Sequence, residues 1–90
     1  MESWNSHDGI GTGHFWVHVP DGQMTGHRAL VASVCELNAQ TGFPQPGDAV
    51  FTMHNAVPMP GEALFHISIL RDAINPWPNP LHYRIFFHYT

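Results

Sequence analysis

The sequence predicts an all-β chain: five mostly antiparallel strands closed into a small barrel or stacked as a sandwich. Three observations carry this. Eight glycines and eight prolines in ninety residues interrupt the chain too often for a helical bundle. Between the interruptions lie short runs in which apolar and polar residues alternate. A hydrophobic share of 43%, with 12% aromatic, is enough for a packed core and excludes a disordered chain. Ninety residues make a single domain, too short to split into two cores.

Residues 1–13 are polar and glycine-rich and read as a flexible lead into one β domain over 14–90. Gly9-Ile10-Gly11-Thr12-Gly13 precedes a strand instead of following one, so it is not a dinucleotide-binding fingerprint. The first strand, His14–Val19, ends at Pro20-Asp21-Gly22, a turn signal. Arg28–Gln40 is ambiguous. Leu30, Val31, Val34, Cys35 and Asn38 fall at helical spacing, whereas a strand reading puts apolar residues on both faces. We take it as a strand. The alternative is an α+β fold with one helix at about 28–40 on a four-stranded antiparallel sheet.

After a loop at Pro44-Gln45-Pro46-Gly47, Asp48–Val57 and Ala63–Arg71 read as a hairpin around Pro58-Met59-Pro60-Gly61-Glu62. One register sorts its faces cleanly: Phe51 with Ile69, Met53 with Ile67 and Val57 with Ala63 on one side, Thr52 with Ser68 and His54 with His66 on the other. A two-residue loop at Pro60-Gly61 slips the pairing by one and mixes the faces, so the sorted register is expected. It makes His54 and His66 direct neighbours, and two imidazolium charges there would repel and cost stability in acid. Alternate prolines in Asn75–Pro80 fit only an extended edge or crossing segment. Leu81–Thr90 alternates again as the last strand. Its end at Thr90, with no lysine to blunt it, reads as an open edge.

Three arginines and no lysine stand against seven carboxylates, a net charge of −4 with histidine neutral. That is too few cations for nucleic-acid phosphates or an anionic membrane. One cysteine, Cys35, excludes an internal disulfide and reads as a buried structural thiol. No secretory signal or membrane-spanning run is legible, so a cytoplasmic location is expected.

The unusual feature is eight histidines. With the apolar sides turned inward, His14, Trp16 and His18, then His54 and His66, then His82, Arg84 and His88 share the outer side of a sheet. His14, Trp16, His18, His54, His66 and Arg84 are the candidate ligand-binding residues, and His54, His66 and His82 the candidate acid–base residues. No His-x-His or zinc-type spacing occurs, so no metal site and no cofactor is expected. The preferred reading is a small non-enzymatic binding and assembly module, a homo-oligomer, using this His/Trp-rich face; a small-molecule ligand fits it. The alternative is an oligomeric hydrolase or isomerase with its histidine site at a subunit interface.

Overall fold

The computed structural model describes residues 4–90. Six strands form in chain order: β1 (Trp4–Gly11), β2 (Gly13–Pro20), β3 (Leu30–Glu36), β4 (Val50–Met59), β5 (Glu62–Leu70) and β6 (Leu81–Tyr89). They make two three-stranded antiparallel sheets, ordered β1–β6–β3 and β2–β5–β4. The described residues contain no helix. The all-β expectation holds, with two corrections: the sheets do not close into a barrel, and the strands among the described residues number six.

The sixth strand is β1, in the stretch read as a flexible lead. Its inward row is Asn5, His7, Gly9 and Gly11, opposite Phe87, Ile85, Tyr83 and Leu81 of β6. Little of that row is apolar, which hid the strand from periodicity. Its glycines are there for room. A β-carbon on Gly9 would land on the Tyr83 hydroxyl, and one on Gly11 would sit 2.7 Å from the Phe15 ring. Thr12 alone then carries the chain from one sheet to the other. Its hydroxyl donates to the Trp77 carbonyl at 2.6 Å, and Gly13 turns with a φ of 77°.

Arg28–Gln40 is strand where β3 pairs with β6, from Leu30 opposite Tyr89 to Glu36 opposite Tyr83. Strand β6 is therefore central, bonded to β1 on one side and β3 on the other. This overturns the reading of the C-terminal strand as an open edge. Tyr83, Ile85 and Phe87 point into the core as the alternation predicts. The inner faces of the two sheets meet there, with Phe65 against Phe87 at 5.3 Å and Phe15 against Tyr83 at 5.6 Å. Met24, buried in the loop after β2, completes this core.

The β4–β5 hairpin uses both registers weighed from the sequence. Far from the turn, Phe51 faces Ile69, Thr52 faces Ser68 and Met53 faces Ile67, the sorted register. Nearer the turn, Asn55 faces His66, Ala56 faces Phe65, Val57 faces Leu64 and Pro58 faces Ala63. The expected pairs Val57–Ala63 and His54–His66 are thus replaced. Between the two halves His54 is an extra residue, a β-bulge. The bulge reconciles a two-residue turn at Pro60-Gly61, where Gly61 has a φ of 79°, with apolar residues facing inward along the whole strand.

Candidate functional site: a histidine–tryptophan sheet face

Strand alternation fixes which side chains reach the outer face of β2–β5–β4. Phe15, Val17 and Val19 turn inward, so His14, Trp16 and His18 turn out. On β5, Ala63, Phe65, Ile67 and Ile69 are core, leaving Leu64, His66 and Ser68 on the outer row. Register then sets His14 beside Ser68 and Trp16 beside His66.

Three imidazoles converge. The His54 and His66 ring centroids are 4.8 Å apart, His14 and His54 5.4 Å, and His14 and His66 5.9 Å. The expected closeness of His54 and His66 is therefore present, reached through the bulge and not through direct pairing. Trp16 stacks on His66 at 4.9 Å with its plane tilted only 14°. His54 Nε2 and Ser68 Oγ share a hydrogen bond at 2.7 Å whose donor depends on the histidine tautomer. Further along the face, His18 Nδ1 lies 3.1 Å from Glu62 Oε1.

Ser68 is the member of this group that sequence reasoning missed, since a lone serine in an apolar strand carries no motif. A hydroxyl–imidazole pair at this distance has the geometry of a base and nucleophile, but Ser68 is 0% exposed. It lies beneath the rings, where the hydrogen bond satisfies its buried hydroxyl and orients His54. Among the described residues no group of three or more His, Cys, Asp or Glu is arranged to hold a metal ion.

Three residues expected on this face are elsewhere. His82, Arg84 and His88 lie on β6, whose outer side is the opposite surface of the molecule. Within one chain this separates His82 from His54 and His66, and Arg84 from the other candidate ligand-binding residues. Arg84 instead grips Asp8 with two bonds, Nε to Oδ1 at 2.6 Å and Nη2 to Oδ2 at 2.9 Å, and also reaches the Gly42 carbonyl. Those bonds hold the Asp8 carboxyl below its ordinary value and raise the Arg84 guanidinium. Cys35, opposite Arg84 in register, is half-buried on that same outer side and not in the core. Loss of solvent pushes its thiol up, which disfavours the nucleophilic thiolate.

A recess of about 690 Å³ is lined by the start of β1, the end of β2 with the loop after it, and the end of β6, with Asn5, Asp21, Gln23 and Tyr89 among its residues. The Asp21 carboxylate beside Tyr89 raises that phenol.

Fold and face together define a small two-sheet β protein carrying a histidine–tryptophan platform. Comparison with known proteins matches the chain to no family model, no curated protein and no solved structure.

Proposed function

We propose that this chain is a small non-enzymatic binding and assembly module, which associates with itself and presents its His14, Trp16, His18, His54 and His66 face to a ligand. The observation that carries the reading is the division of surface chemistry between the two broad sides. The outer side of β1–β6–β3 exposes Trp4, Ile10 and Val31 around the Asp8–Arg84 pair, with Phe43 exposed next to Gly42. Exposed large apolar side chains set among polar neighbours and around an ion pair suit a surface that a second copy covers. The Cα envelope is 36 × 28 × 15 Å, so one broad side is comparable in area to the roughly 800 Å² per partner of a standard interface. Back-to-back association through it leaves both His/Trp faces outward.

Trp16, 49% exposed, suits a ligand face. An indole held against His66 offers a large amphipathic surface at little further entropic cost. The enzyme reading has the His54–Ser68 bond in its favour, but it requires Ser68 to become accessible. Sedimentation tests the module. The wild type is expected as a dimer, Val31→Lys as a monomer, and Trp16→Ala as a dimer of unchanged mass. A wild type that stays monomeric at about 1 mM overturns the assembly half of the reading.

A further inference from the structure

The imidazole cluster narrows what the ligand face would take, an inference that rests on reading this side as the binding surface. His14, His54 and His66 come from three adjacent strands and bring their rings within 4.8–5.9 Å of one another. Between and beside them stand Trp16, Thr52, Asn55 and Ser68, all uncharged. The other titratable groups that β2, β4 and β5 carry are His18 and Glu62. These occupy each other at 3.1 Å. Glu62 is four residues from His66 along β5, about 13 Å at strand rise. The strands thus gather three potential cations and place their one carboxylate out of reach.

We propose that this cluster is an acid-dependent binding site for a multiply charged oxyanion, a phosphate or sulfate group. A neutral imidazole offers one N–H donor, and an imidazolium offers two and a charge. Imidazolium charges at these separations repel one another, and nothing on their strands balances them. An oxyanion between the rings removes that repulsion and accepts charge-assisted hydrogen bonds from them. The bond from Ser68 engages Nε2 of His54, which leaves Nδ1 for the ligand. Trp16 covers one side of the His66 ring, directing approach to the other.

The test follows the ring-proton NMR signals of the histidines during titration with inorganic sulfate, a dianion at both pH values used. Sodium chloride keeps ionic strength constant. At about pH 5.5 the signals of His14, His54 and His66 are expected to shift saturably while those of His82 and His88 stay in place. At about pH 8 the apparent affinity is expected to fall roughly tenfold or more. His66→Gln, which removes a cation but keeps a polar side chain, weakens binding at the lower pH, and acetate binds more weakly than sulfate. Equal shifts at all the histidines, affinity independent of pH, or acetate equal to sulfate would each overturn the proposal. If sulfate leaves the three rings unmoved while Val31→Lys still breaks a dimer, the oxyanion inference fails and the assembly reading stands. A monomeric wild type that binds sulfate at these rings does the opposite, upholding the oxyanion site and removing the assembly.

Discussion

Single residues in this molecule are constrained by what lies over them. Gly9 and Gly11 are the clearest cases, because the Tyr83 and Phe15 rings occupy the space of their missing β-carbons. Gly9→Ala should therefore cost about 1–3 kcal/mol through overpacking. Gly22→Ala is the control: nothing lies within 4 Å of its β-carbon position, so its unfolding midpoint should match the wild type or exceed it slightly. Thermal unfolding of both variants checks this, and equal losses would refute the close-approach account. Asp72 is constrained by charge. Its carboxylate accepts the Asn75 side-chain amide and the Ile74 and Asn75 backbone amides, which lower it to about 2. Asp8 is lowered by Arg84. In both cases the unfolded chain takes up protons first as pH falls. The stability they contribute is therefore complete above about pH 4 and lost as pH drops through the folded values. Asp72→Ala should lose less than the wild type between about pH 4 and about pH 2; identical acid profiles would contradict that.

Among the elements, β4 is the most informative. Its bulge at His54 lets one strand satisfy two registers, with Met53 opposite Ile67 and Asn55 opposite His66. Deleting His54 removes the extra residue and leaves a regular ladder with every inward side chain in place. Deleting Met53 instead moves His54 into its inward position and buries an imidazole in the core. The first deletion is expected to lose only what the His54–Ser68 hydrogen bond contributes, about 1–3 kcal/mol, and the second to melt far below it. Similar losses for the two would mean that the bulge is not what joins the registers. Strand β6 shows how position within a sheet changes the meaning of a substitution. Phe87 is 3% exposed on a central strand, so Phe87→Lys should unfold the protein, by about 3 kcal/mol or more, rather than loosen an assembly edge.

In the molecule as a whole, two sheets turn two different chemistries to opposite sides. Arg84→Lys tests the side around the ion pair. A lysine keeps the charge but cannot reproduce the two-bond grip on Asp8 or its reach to Gly42. If that side joins two copies, the substitution should weaken the dimer in sedimentation while leaving the His/Trp face unaltered. An unchanged association constant would place the interface elsewhere. No helix among the described residues is long and apolar enough to cross a membrane.

The strands that alternate over an apolar row were legible, because burying that row is what fixes a strand's face. His14–Val19, Ala63–Arg71 and Leu81–Thr90 contain β2, β5 and β6 nearly to the residue, and the outward positions of His14, Trp16, His18 and His66 follow from the same alternation. β1 was hidden because glycine and polar side chains fill its inner row, and only the rings of Phe15 and Tyr83 explain why they must. Likewise, the closeness of His54 and His66 could be read from the hairpin, but His14 as their third neighbour could not. Alternation assigns a residue to one face of its own strand. Which strands lie side by side, and which sheet each joins, is decided by packing between residues far apart in the chain. The order of residues alone was enough for a one-domain β protein and for the inward or outward sense of most side chains. Long-range packing then put β6 between β1 and β3, sent His82 and Arg84 to the opposite surface, and gathered three histidines over Ser68.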